Sequence, residues 1–340
     1  MTQLFSLPPA SLFCGLLLLL VVFLNGATDA PNAIASSVAT GALSYRRAVR
    51  LCAVCNAVGA VGMALLCGKV GETMFSLADF SGTGRHGILA LSATLLSVIL
   101  FAAAAWRLGL PTSESHAAAA GLCGAVFALT GNIGSVDPGG VFRILIGMAG
   151  AVLLSFFASY VLLFFARRLR RKTPDAEKKL RRMQILGAVG SSLAHGAQDA
   201  QKLAGLYFLI FALSGMSEGT GAVPLSLTVT VALFMGAGCL FCGRRIIRKT
   251  AEEMVRPDPC RAVTADLSSA LCLFLFSLIG IPASTTHAKN AALLGAASAD
   301  DPGNVHLGVA GELLASWLLT FPVCMLLGFA LTRLFLLFHG

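Results

Sequence analysis

NGATDAPN, residues 25–32, recurs as HGAQDAQK at residues 195–202, and GLPTSESHA, residues 109–117, recurs as GIPASTTHA at residues 280–288. The two pairs stand 170 and 171 positions apart and keep the same order. Four of eight and five of nine positions are identical, and the shared positions include Asp, Ser and His. Chance similarity between apolar segments would not select those residues. The chain therefore reads as two related halves, residues 1–168 and 183–340, separated by a basic linker at 169–182.

Outward from these motifs the sequence is apolar. Of its 340 residues, 56% are hydrophobic and 12% charged, whereas a soluble domain carries roughly 25% charged residues. A water-soluble globule is excluded. Five hydrophobic segments can be assigned to each half: about 10–43, 47–68, 87–106, 109–130 and 140–167, then about 183–213, 222–243, 263–280, 282–298 and 306–338. Several reach the roughly 20 apolar residues that cross a bilayer; others are too long or too short for one simple crossing. The expected fold is all-α, a polytopic transmembrane helical bundle with two inverted-topology repeats and broken or re-entrant helices. The opening MTQLFSLPPAS lacks the basic region of a secretory signal and reads as the entry to the first span.

Charge supplies the orientation. The net charge is +9, but the basic residues sit in short segments between apolar runs, without the aromatic interleaving that stacks bases, so nucleic acid is not an expected partner. With the N-terminus outside, nineteen of the 25 Lys and Arg fall in inner loops, four lie outside or near it, and two, Lys202 and Lys289, belong to motifs. That asymmetry follows the positive-inside rule. An odd number of crossings per half then inverts the second half relative to the first. The expected location is the plasma (inner) membrane, multi-pass, with the large basic loop cytoplasmic. The ten cysteines are scattered, and both CxxC pairs (Cys52 with Cys55, Cys239 with Cys242) fall inside expected spans. They read as small buried hydrophobes rather than zinc or redox sites.

Inverted repeats place a substrate site near the membrane midplane, on interrupted helices whose free ends supply ligands. Gly26 and Pro31 in one copy, Gly196 and Gly205 in the other, and a Gly-x-Pro opening each serine-rich element are interruption signals. Proline suits the first turn of a helix, so helices are expected to start at Pro111 and Pro282. They would aim their free amides, with the hydroxyls of Ser113, Ser115, Ser284, Thr285 and Thr286, at one point. Such an arrangement suits an anion.

Asp29 and Asp199 lie in apolar surroundings, where an ionised carboxylate costs about 2.5–3.5 kcal/mol, and such residues mark ion or proton pathways. Asn32 and Lys202 follow each Asp by three residues, one turn along the same face. Lys202 either neutralises Asp199 or touches the anion. His116 and His287, one turn in, read as hydrogen-bonded supports. Glu114 occupies the position of Thr285 beside the expected anion, where a carboxylate repels unless protonated or paired; it either titrates during transport or points to solvent. Glu312 stands alone in the last span with no role assigned. His195 and Asp199, at i and i+4, would permit a metal on one helix face, but Asn25 replaces the histidine in the first half and no HExxH appears. An intramembrane metalloenzyme is thus a remote alternative; enzyme activity and a cofactor are not expected.

At these residues the sequence resembles the PiT family of inorganic phosphate transporters, whose signature reads roughly GANDxxNAIxTSVGSGAL. NGATDAPNAIASSVATGAL at 25–43 covers it, HGAQDAQKLAG from His195 resembles the second signature, and GIPASTTH from Gly280 resembles the Pro-x-Ser-Thr-Thr-His element. The resemblance implies import of inorganic phosphate by cation symport with alternating access, Na⁺ or H⁺ as coupling ion, and a homodimer in membrane lipid. On the residues themselves, the expected substrate contacts are Ser113, Ser115, Ser284, Thr285, Thr286, Asn32 and Lys202. The coupling ion is expected at Asp29, Asp199, Thr28, Gln198 and Glu114, with no metal beyond Na⁺ at Asp29 and Asp199. Thr28 and Gln198 stand where the family has Asn, and Glu114 where it has a hydroxyl residue. A sulfate or metal-phosphate permease of the same fold is the alternative.

Overall fold

A computed structural model describes residues 7–108, 112–172, 175–216, 223–243, 247–248, 254, 258–301, 303 and 305–339. Regular structure among them is helical, apart from one backbone bridge between Ala78 and Val136. The first half comprises α1 (Pro9–Thr28), α2 (Pro31–Ala39), α3 (Tyr45–Leu66), α4 (Lys69–Phe75), α5 (Gly84–Leu108), α6 (Glu114–Thr130) and α7 (Pro138–Lys172). The second comprises α8 (Ala176–His195), a π-helical turn (Gly196–Ala200), α9 (Gln201–Leu213), α10 (Leu225–Leu240), α11 (Pro259–Leu278), α12 (Thr285–Asp300) and α13 (Leu307–His339). Among the described residues, six helical stretches are long and apolar enough to cross a membrane, α1 and α2 counting together as one, Pro9–Ala39. The most apolar windows of α7 and α13 are only 22% and 17% buried, against 61% for α5. Their outer faces, with Phe157, Phe164, Leu318 and Leu337 exposed, form an apolar surface that suits lipid rather than water.

The first repeated motif interrupts its helix differently in each half. Pro31 has no N–H and its ring crowds the preceding turn, so the chain breaks at Asp29 and Ala30, whose amides both reach the Asn25 carbonyl at 2.9 and 3.3 Å. In the second half Gln201 replaces that proline, and the helix carries through with a π-helical turn around Asp199. Gly205, read as an interruption, is instead a close crossing: a Cβ there would lie 2.3 Å from the Gly71 carbonyl oxygen. That contact docks the short helix α4, which the hydropathy pattern did not reveal. A second difference concerns the serine-rich helix of the second half. It starts at Thr285 with Ser284 as its N-cap, the Ser284 hydroxyl accepting the His287 amide at 3.2 Å. Pro282 therefore lies in the extended lead-in, because the serine cap outcompetes proline for the start. Pro111 is outside the described residues; α6 begins at Glu114 after Ser113. The basic linker is largely helical, since α7 runs to Lys172 and α8 starts at Ala176.

Packing partners exchange between the halves. Helix α6 lies along α13 and α12 along α7; α1 packs on α10 and α8 on α3; α5 packs on α6 and α11 on α12. Each of these contacts has a counterpart made by the corresponding elements of the other half. The closest crossings rest on glycine: a Cβ on Gly124 would sit 1.9 Å from the Met325 carbonyl oxygen, and one on Gly328 would sit 2.3 Å from that of Gly121. Small residues at such crossings let helices approach to backbone contact where lipid supplies no hydrophobic drive. At the end carrying the basic segments, Arg167 of α7 reaches Asp258 at 3.2 Å and Asp300 at 2.5 Å, and Arg261 of α11 also bonds Asp300. This clamp joins α7, α11 and α12.

Candidate functional site

Four elements converge in the buried interior: the α1–α2 break, the π-helical turn, and the starts of α6 and α12. Asp29 is fully buried. Thr286 donates its hydroxyl to Asp29 Oδ1, Asn32 Nδ2 approaches the same oxygen at 3.3 Å, and Asn25 Nδ2 approaches Oδ2 at 3.3 Å. Asn32 Nδ2 also reaches Thr286 Oγ1 at 3.1 Å. Asp199, equally buried, pairs with Lys202 Nζ at 2.6 Å, accepts from Thr285 at 3.0 Å and from Ser115 at 3.5 Å, and has His195 Nε2 at 3.4 Å.

The same exchange between halves is seen at the site. Asp29 with Thr286 and Asn32 mirrors Asp199 with Ser115 and Lys202, so each acid takes a hydroxyl from the opposite half. The two acids are also close: a carboxylate oxygen of Asp29, a ring nitrogen of His195 and a carboxylate oxygen of Asp199 lie within 4.8 Å of one another. Three buried groups so placed offer oxygen and nitrogen ligands close enough together to hold a metal ion.

Glu114 does not point to solvent. It is buried, with Oε1 2.5 Å from the Thr28 hydroxyl and Oε2 3.3 Å from Asn25 Nδ2. Asn25 therefore bridges two carboxylates, Glu114 and Asp29. Ser113 Oγ lies 3.2 Å from Ser115 Oγ, and Ser284 serves as the cap of α12. Gln198 is a brace: its amide nitrogen bonds the Leu273 and Ile281 carbonyls at 3.2 and 3.3 Å, and its oxygen accepts the Ala283 amide at 3.2 Å. It thereby holds the lead-in to α12 against α11. His116 and His287 stack on each other with ring centroids 5.4 Å apart, and Trp317 packs on His287 at 4.3 Å. The rings pack on one another and on Trp317, but the hydrogen bonding expected of them is not made: neither ring nitrogen of His116, nor Nε2 of His287, has a partner among the described residues.

Sequence reading missed three contributors. Asn56 fixes His195 through Nδ1 at 2.5 Å. Asn25 was noted only as the counterpart of His195. Most substantially, Lys289 and Asp266 form a buried ion pair, with the Ser36 hydroxyl donating to Asp266 Oδ1 at 2.6 Å. Ser36 and Lys289 each lie one turn beyond Asn32 and Thr285, so the pair sits directly behind the site. Asp266 stands inside an apolar run, the signal that singled out Asp29 and Asp199, but it has no repeated partner.

The sequence pattern of the Phosphate transporter family matches residues 25–328. The chain is similar to the probable low-affinity inorganic phosphate transporter of Mycobacterium bovis, 34% identical over 92% of this chain and 76% of that protein. It is similar to the Bacillus subtilis protein of the same description, 30% identical over 90% of this chain and 91% of that one. Among solved structures, a sodium-dependent phosphate transporter superposes with a TM-score of 0.85 over 97% of this chain and all of that chain, at 21% identity. The last comparison bears on the fold alone.

Proposed function

We propose that this chain, which belongs to the phosphate transporter family, imports inorganic phosphate by cation symport with alternating access. The observation that carries the reading is the convergence of two half-chain cradles, each uniting a buried acid with hydroxyls at a helix start, on one interior point. A phosphate dianion entering against an inside-negative potential works against about 2.3 kcal/mol per charge per 100 mV. Cations bound at Asp29 and Asp199, with Glu114 beside Asp29, remove that penalty. Adjacent carboxylates repel one another, and a proton or Na⁺ between them relieves the repulsion. The hydroxyls of Ser113, Ser115, Ser284, Thr285 and Thr286, and the first amides of α6 and α12, then face the oxyanion.

In this reading the halves are inverted across the membrane, the basic segments face the cytoplasm, and the sparsely buried faces of α7 and α13 meet lipid and a second copy. Phosphate uptake into proteoliposomes under separately imposed sodium and proton gradients tests it and identifies the coupling ion. Uptake indifferent to both gradients, or wild-type rates in an Asp29→Asn, Asp199→Asn double variant, would sink it.

The Asp29, His195 and Asp199 trio favours a second reading, a divalent metal carried with the anion. The trio offers the carboxylate and imidazole ligands that such ions take. Competition of labelled phosphate uptake by excess sulfate, with and without divalent metal, separates phosphate, sulfate and metal-phosphate as substrate.

A further inference from the structure

We propose that Lys202 is a built-in cation: its ammonium permanently fills a position that a mobile sodium ion would otherwise take on the Asp199 side. The inference rests on the symport reading above and states which half of the site exchanges its ion.

The surroundings of Nζ are those of a small hard cation. Its neighbours are a carboxylate oxygen (Asp199 Oδ1, 2.6 Å), a hydroxyl (Ser115 Oγ, 3.2 Å) and a main-chain carbonyl, that of Ala283. Carboxylate, hydroxyl and carbonyl oxygens are the ligands that hard cations select. An ammonium has three N–H donors and no acceptor, so these three oxygens exhaust it. No donor is left for an anion. Of the two roles the sequence allowed Lys202, neutralising Asp199 or touching the substrate, the geometry supports the first. The residue is 1% exposed, and a charge at that depth persists only when paired.

The other half shows what the position looks like without a tethered charge. Asn32 occupies the place corresponding to Lys202 and sends its neutral amide to Asp29 Oδ1 at 3.3 Å and Thr286 Oγ1 at 3.1 Å. Among the described residues no lysine or arginine forms an ion pair with Asp29. The two corresponding carboxylates thus differ in their counterion: Asp199 carries it on the chain, while Asp29 must take one from solution. The mobile cation then belongs to Asp29, and each transport cycle moves one sodium fewer than a site with two free acids.

The test is Lys202→Asn, which gives the second half the residue found in the first. Counting ²²Na⁺ and ³²P-phosphate fluxes in the same proteoliposomes at pH 8, the sodium-to-phosphate ratio rises by one in this variant and stays at the wild-type value in Lys202→Arg. An unchanged ratio in a transporting Lys202→Asn protein overturns the inference. If that variant is inactive, equilibrium ²²Na⁺ binding to the purified protein decides: one additional sodium per chain supports it, and binding equal to wild type overturns it. Failure of the symport reading looks different, namely wild-type uptake indifferent to both the sodium and the proton gradient, and the binding measurement remains decisive in that case.

Discussion

Replacing Lys289 by methionine removes the positive member of the buried pair behind the site. The lysine is 3% exposed and Asp266 is fully buried. With the lysine gone, Asp266 keeps one donor, the Ser36 hydroxyl at 2.6 Å on Oδ1, and its Oδ2 already has no side-chain or backbone donor. Stranding one charge of a buried pair costs about 3–5 kcal/mol, whereas replacing both members by apolar groups of similar volume is often neutral or stabilising. At about 1.4 kcal/mol per tenfold, the single variant lowers the folding equilibrium by roughly 10²- to 10⁴-fold. Lys289→Met combined with Asp266→Leu should recover most of that loss. Thermal unfolding in detergent micelles measures both, followed by the fluorescence of Trp317, which packs on His287. A single variant as stable as wild type, or a double variant no better than the single, would show that no buried charge is being compensated there.

Thr286→Val keeps the volume of the side chain but removes the hydroxyl that bonds Asp29. A hydrogen bond to a charged group contributes about 1.5–3 kcal/mol, so the half-saturating cation concentration for phosphate uptake rises by about tenfold or more. Gly124→Ala places a Cβ 1.9 Å from a main-chain oxygen of α13 and should abolish monodisperse protein in size-exclusion chromatography. The control, Gly62→Ala in α3, meets nothing within 4 Å and gains about 0.5–1 kcal/mol from lower chain entropy. Burial alone would raise the Asp300 carboxyl, but hydrogen bonds from Arg261 and Arg167 outweigh it and hold the group below its ordinary value. With a depressed folded-state value, its stabilisation is fully present above the unfolded value of about 3.9 and is lost as pH falls through the lower folded one. The thermal midpoints of wild type and Asp300→Asn should differ at pH 6 and converge in that acidic window.

Hydropathy and the two motif pairs disclosed the helical membrane class and the residues that meet in the interior, because apolar length and misplaced polar groups are local signals. Helix α4 escaped because seven residues between longer runs leave no periodic trace, and its placement depends on a glycine crossing with α9. The start of α12 was misplaced by three residues because Pro282 and Ser284 both signal a helix N-terminus, and only the cap hydrogen bond decides between them. The orientation of Glu114 depended on Thr28 and Asn25, neighbours supplied by another helix. The Asp266–Lys289 pair joins two helices of the second half to Ser36 of the first, and no repeat drew attention to it.

The exchange of partners between halves also bears on how the chain is made. Asp29 and the Thr286 hydroxyl that it accepts are 257 residues apart. At about 5–20 residues per second of synthesis, the ribosome needs roughly 13–50 s to make that stretch. For that interval the first half, already threaded into the bilayer, holds a buried acid without its main donor and lacks α13 against α6 and α12 against α7. Until translation ends, the newborn first half therefore holds an acid whose partners do not yet exist, and only the second half can complete its packing.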